Sequence, residues 1–155
     1  MTPAVELLRS LGIDHRIVEY DHDPDHPSFG EEAVEALGVD PGLVFKTLMV
    51  TLDDGSHAIG VIPVNTRLDL KAIAAVAGGK RAAMTDPTLA ERRSGYVVGG
   101  ISPFGQKRVV PTFVDDSALT ADEIYCSAGR RGIELVVAPG AFAEALGATF
   151  TAIST

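Results

Sequence analysis

Apolar and polar positions alternate along this chain in blocks short enough to separate its elements. Thr2-Pro3 supplies an N-cap and a first helical position, and the apolar face that follows carries a helix to about Leu11, with Gly12 at its end. "HRIVEY" (15–20) reads as a strand, and "EEAVEALG" (31–38) as a short helix with acids in its first turn and a glycine stop. "LVFKTLMVTL" (43–52) is a strand too apolar to be half exposed. Asp54-Gly55 turns it into "HAIGVIPV" (57–64), which predicts a hairpin. "DLKAIAAVAGG" (69–79) predicts a helix, "RAAM" a short strand, and Asp86-Pro87 the start of a helix that stops by Gly95. "YVVGG" (96–100) predicts a strand running into the tight turn "SPFG". "VVPTFVD", "EIYCSA" and "ELVVA" follow as strands, then "PGAFAEALG" as a helix and "TFTAI" as a last strand.

Strands outnumber helices and do not alternate strictly with them, which argues against a doubly wound parallel sheet. The pattern predicts one α/β domain of the α+β type over residues 1–155, with a mixed, curled, barrel-like sheet and helices packed outside it. Hydrophobic residues at 46% and charged residues at 22% suit a globular protein. The N-terminal segment has neither the basic region nor the apolar run of a signal peptide, and no apolar stretch approaches a membrane span. Cys126 is the only cysteine, so no intrachain disulfide forms, and a cytoplasmic, reducing setting is expected.

Charge divides the chain. Residues 1–60 carry three basic and twelve acidic side chains, residues 61–155 ten and nine, for a net charge of −8. Such a chain is a poor generic nucleic-acid binder and no DNA partner is expected. The basic pairs Lys80-Arg81, Arg92-Arg93, Lys107-Arg108 and Arg130-Arg131 would still permit a local, selective contact with an RNA.

"YDHDPDHP" (20–27) has the residue types of a metal site but not its geometry. Pro24 and Pro27 prevent the helix that would put His22 and His26 on one face, so the segment reads as a loop; no metal or other cofactor is expected. Lys46 is odder, the only lysine in the first seventy positions and set inside an apolar strand. Either it points outward from an edge strand, or it points inward and an anionic or dipolar partner offsets the cost of its burial. In "VVGGISPFGQK" (97–107), Gly99 and Gly100 either form a bulge before a turn or let main-chain N–H groups approach a developing oxyanion. Ser102 lacks the final glycine of G-x-S-x-G and precedes a turn, which makes it a poor nucleophile. Cys126 reads as a buried structural cysteine. "SAGRRG" (127–132) is either a glycine-rich turn or a ligand loop whose arginines meet phosphates.

Taken together, "YDHDP", "FKTLMV", "GYVVGGISPFGQKR" and "SAGRRG", in this order and spacing, closely resemble the YbaK-type Cys-tRNA(Pro) deacylases of the editing-domain superfamily associated with prolyl-tRNA synthetase. The resemblance implies a trans-editing enzyme that clears cysteine from tRNA(Pro), or also from tRNA(Cys), with no cofactor. Its partners would be the 3′ end of an aminoacylated tRNA and prolyl-tRNA synthetase, with no membrane involved. It further implies that the substrate's own thiol attacks the ester carbonyl and leaves as a cyclic thioester. Carried onto this sequence, the catalytic positions are Lys46 and the amides around Gly100 and Ile101. Tyr20, Thr47, Gly99, Ser127, Gly129 and Arg130 would hold the substrate. Ala128 and Arg130 depart from the "SGGKRG" form common in the family, keeping the charge and altering the loop. The alternatives are a non-catalytic module that binds tRNA ends or nucleotides, and a thiol-redox protein working through Cys126.

Overall fold

A computed structural model describes residues 1–155. The first helix, α1 (Pro3–Ser10), is capped as its sequence implies: Thr2 Oγ1 accepts from Val5 N–H at 3.3 Å, and Pro3 fills the first turn. Such a cap contributes about 1 kcal/mol. The Thr2 hydroxyl also donates to the Ala128 carbonyl, tying the N-terminus to a distant strand. Strand β1 (Arg16–Glu19) leads through the proline-rich loop to α2 (Phe29–Leu37), which ends on left-handed Gly38.

β2 (Phe45–Leu52) and β3 (His57–Pro63) form the expected hairpin around Gly55. Every residue of β3 is buried, as an apolar central strand requires. After α3 (Leu70–Val76), the short β4 (Ala82–Met84) pairs only with Val50–Leu52 of β2. The remaining edge of β2, along Phe45–Leu48, therefore has no strand on that side. α4 (Pro87–Ser94) starts at the Asp86 cap and stops at left-handed Gly95. β5 (Thr112–Asp115), β6 (Ile124–Arg130), β7 (Ile133–Val137), α5 (Gly140–Leu146) and β8 (Thr149–Thr151) complete the chain.

The strands form two sheets, β1-β7-β6 and β4-β2-β3-β5-β8, the second mixed because β3-β5 and β5-β8 are parallel. This corrects the expectation of a barrel-like core. Only one isolated bridge, Val44 to Tyr125, links the sheets, so the ladder does not close. The main core lies between them and draws on α1 and α5, with the Phe104 and Phe142 rings 4.9 Å apart. Burial of each such side chain contributes about 1.5–3 kcal/mol. No helix is long and apolar enough to cross a membrane.

A second correction concerns 96–100, which forms no strand. Tyr96 turns its hydroxyl inward to donate to Phe104 O at 2.6 Å, and Gly100 N–H closes a turn on Val97 O at 2.8 Å. Gly99 and Gly105 have φ of 91° and 68°, left-handed geometry that no strand accommodates. Alternation in "YVV" thus reflects one inward aromatic ring with Val97 left 65% exposed.

Candidate active site

Val44, just before β2, bridges to Tyr125 of β6, and β2 and β6 form no ladder with each other. Between them lies a cavity of about 420 Å³. Its walls are the open edge of β2, the start of α2, part of α4, the 98–101 segment and the β6–β7 hairpin. The size falls within the range of about 300–1,000 Å³ typical of small-molecule sites.

Lys46 lies on this wall and is half-buried, which decides between the two orientations its sequence left open. Its ammonium makes no ion pair, and its one hydrogen bond is to Val64 O at 3.4 Å. Burial lowers its pKa; the more distant charge of Glu31 works against that and Arg67 with it. Thr47 beside it has a buried hydroxyl with no partner. A half-buried ammonium with no carboxylate partner is costly as it stands and is favoured by an anionic or carbonyl oxygen placed beside it.

The glycine pair works differently from the sequence-based expectation. Gly100 is not on the cavity wall, and its N–H is already used in the turn to Val97. A Cβ there would sit 3.0 Å from the Arg130 Cα, so this glycine lets two backbones pack. Gly99 does line the cavity; a Cβ would come within 2.5 Å of the Phe29 ring and 2.6 Å of Arg131 Nε. Within the 98–101 segment, the amides of Gly99 and Ile101 are the ones that reach no acceptor within the chain.

The two arginines of "SAGRRG" also separate. Arg131 stacks 3.8 Å over the Phe29 ring and donates to Val98 O at 2.7 Å, clamping α2, the 98–101 segment and the hairpin together. Arg130 is exposed at the rim with no ion pair. Ser127 lines the cavity, its hydroxyl oxygen accepting from Gly129 N–H at 3.1 Å. Gly129 does not line it. At φ 111° a Cβ there would press on Tyr96 at 2.6 Å, so this glycine lets the hairpin pack on the Tyr96 ring.

Tyr20 closes one end, with its phenol pKa raised by burial and by the neighbouring Glu134. Glu134 is the residue that sequence reasoning missed. It lies on the cavity wall, is 7% exposed, and makes no ion pair; burial pushes its pKa up to about 8. Its signal was available: a lone acid in the apolar run "IELVV", the counterpart of Lys46 in "FKTLMV". The "YDHDPDHP" loop is held from beneath. His22 Nδ1 donates to Glu32 Oε1 at 2.7 Å, Asp23 N–H to Glu32 Oε2 at 2.8 Å, and His26 Nε2 to Glu35 at 3.0 Å.

No side chain in the cavity is set up as a nucleophile. Cys126 and Ser102 are fully buried off the wall, and the Cys126 thiol pKa is raised well above its ordinary value by burial. Ser127 is hydrogen-bonded to no base. The site offers a cation, the unpaired amides of Gly99 and Ile101, and a carboxyl group. It can bind and polarise an ester whose attacking group comes from elsewhere.

The family model for the aminoacyl-tRNA editing domain matches residues 23–145. The chain belongs to the aminoacyl-tRNA editing domain family. Along 99% of its length, and 93% of the relative's, this editing domain is 33% identical to a protein of Enterococcus faecalis named as a Cys-tRNA(Pro)/Cys-tRNA(Cys) deacylase, EbsC. It is 29% identical to part of a proline–tRNA ligase of Nautilia profundicola, over 79% of this chain and 22% of the ligase. Among solved structures it superposes on the hypothetical protein APE2540 with a TM-score of 0.88 at 26% identity, covering 99% of this chain and all (100%) of that one. A structure described as a trans-editing enzyme for prolyl-tRNA synthetase shares the fold, with a TM-score of 0.85 at 21% identity over 100% and 99% of the two chains.

Proposed function

We propose that this editing domain acts in trans as a deacylase on Cys-tRNA(Pro), and on Cys-tRNA(Cys), with the whole chain working as one domain. The observation that carries the reading is a cavity with an unpaired ammonium and free amides but no armed nucleophile. The relative with 33% identity, named for that activity, supports it. The need for such an enzyme is physical. A synthetase pocket shaped for proline rejects a similarly sized cysteine by only about 1–3 kcal/mol, so a second site must discriminate by chemistry.

In this mechanism the cysteinyl thiol attacks its own ester carbonyl. A sulfur–carbon bond forms, the carbon–oxygen bond to the terminal ribose breaks, and the thiol proton ends on the departing ribose oxygen. The cyclic thioester is then opened by water to cysteine. Holding the thiol against the carbonyl makes the attack intramolecular. The chain's part is to orient the ester and stabilise the oxyanion. Lys46 and Thr47 engage the ester or the adjoining phosphate, and the Gly99 and Ile101 amides face the carbonyl oxygen. Tyr20, Ser127 and Arg130 position the aminoacyl-adenosine end. A deacylation assay over Cys-, Ala- and Pro-tRNA(Pro) tests the reading: turnover of the cysteinyl substrate is expected, and binding without turnover would contradict it.

Glu134 fits the substrate's α-ammonium, a cation that stabilises the carboxylate form. Glu134, with its pKa of about 8, should then contribute to the pH profile of kcat/KM beside the substrate's own ammonium and thiol, which titrate at about 8 and about 8.5. In Glu134→Gln the part of the profile that belongs to Glu134 should be missing while the substrate's own steps remain, and a deaminated substrate, the 3-mercaptopropionyl ester, should be cleaved equally by both proteins. Stability moves the opposite way. A carboxyl whose folded pKa lies above its ordinary 4.5 costs the native state progressively as pH rises between the two values. The glutamine variant should therefore be relatively more stable at the alkaline end. An unchanged pH profile in Glu134→Gln would remove Glu134 from the site.

A further inference from the structure

Two basic pairs that are separate in the sequence meet on one surface beside the cavity. Arg92 and Arg93 end α4, while Lys107 and Arg108 belong to the irregular segment that leads to β5. Backbone hydrogen bonds from Lys107 N–H to Ser94 O (2.9 Å) and from Arg108 N–H to Arg93 O (3.1 Å) join the two segments. Gly95, left-handed at φ 83°, ends α4 just before the chain turns away from this contact. Arg92, Lys107 and Arg108 are exposed and Arg93 is half-buried. None of the four makes an ion pair. Glu91, the acid on the same helix, accepts from Val98 N–H at 2.8 Å.

The C-terminal end of α4 favours cations in its last turn, which accounts for Arg92 and Arg93. It does not call for two more from another segment, where like charges repel. On a chain of net charge −8, four cations gathered without counter-ions suit a ligand carrying regularly spaced negative charge. The surface also shares its supports with the cavity. Ala90 and Pro87 of α4 lie on the cavity wall, about one and about two turns before Arg93, and Ile101 lies there on the segment that carries Lys107.

We propose that Arg92, Arg93, Lys107 and Arg108 bind the phosphodiester backbone of the RNA whose aminoacyl 3′ end enters the cavity. This rests on the deacylase reading for the identity of the RNA, and adds the surface that holds its body. The test is the triple variant Arg92→Gln/Lys107→Gln/Arg108→Gln, with Arg93 left in place because its Nε is buried. Uncharged tRNA binding is measured over a salt series, alongside kinetics on Cys-tRNA(Pro) and on cysteinyl-adenosine, which has no phosphodiester.

The variant's slope of log affinity against log salt should be shallower by about 2–3, near 0.7–0.9 for each phosphate that is no longer neutralised. Its KM for Cys-tRNA(Pro) should rise about tenfold or more at physiological salt, with kcat and cysteinyl-adenosine cleavage unchanged. The charge-retaining Arg92→Lys/Arg108→Lys variant should keep the wild-type slope. Unchanged tRNA affinity and slope in the triple variant would overturn the proposal. So would loss of tRNA binding in the charge-retaining variant, or loss of polyglutamate binding with tRNA binding kept, which would mark a site for an acidic protein. If wild-type protein binds Cys-tRNA(Pro) without cleaving it, the deacylase reading fails while the salt series still decides the surface.

Discussion

Lys46→Ala should lower kcat/KM for Cys-tRNA(Pro) by about 100- to 1,000-fold, the range for losing one preorganised electrostatic contact to a reacting oxygen. The same assay should find Cys126→Ser nearly unchanged. The contrast follows from how each side chain sits. The Lys46 ammonium is half-buried on the cavity wall, with a single long hydrogen bond to Val64 O (3.4 Å) and no ion pair. Its removal relieves a desolvation cost and breaks almost no native contact, so the fold should survive and the loss should fall on chemistry. Lys46→Arg should recover only part of the rate, because a planar guanidinium cannot occupy the position of a compact ammonium. Cys126 is fully buried in the core, where its raised pKa leaves no thiolate to react. An inactive Cys126→Ser beside an active Lys46→Ala would reverse the assignment and favour thiol chemistry by the protein.

Local patterning carried most of the fold. Thr2-Pro3, Asp86-Pro87 and the left-handed Gly38 and Gly95 mark helix ends that the structure reproduces, because caps and glycine stops are decided within a few residues. The partition into two sheets was not legible. It rests on pairings such as β3 with β5 and β1 with β7, where chain segments distant in sequence meet and no local rule sets the register. "YVVGG" misled because Tyr96 alternates like a strand residue while its hydroxyl serves a turn.

The site divides along the same line. Lys46 could be singled out because a lone charge in an apolar strand is costly wherever it lies, and Glu134 in "IELVV" meets the same criterion. The glycine pair was visible as a pair, yet only the fold separates Gly99 on the wall from Gly100 against the hairpin backbone. The stacking of Arg131 on Phe29 joins α2 to the β6–β7 hairpin, a contact that no spacing in the sequence announces.

The second large effect concerns the substrate. If the sulfur that attacks the carbonyl belongs to the aminoacyl group, the domain needs no nucleophile of its own, as its cavity suggests. Intramolecular attack in a held geometry is equivalent to an effective concentration of up to about 10⁵–10⁸ M. A substrate without a free thiol loses that advantage outright, whereas its binding through Lys46, Arg130 and the Gly99 and Ile101 amides is preserved. The measurement is single-turnover deacylation of tRNA(Pro) carrying cysteine, S-methylcysteine or serine on the same wild-type protein. The account predicts that the two thiol-free esters bind comparably and are cleaved at least about 1,000-fold more slowly. Cleavage of either at the cysteinyl rate would show that water or a protein group makes the attack.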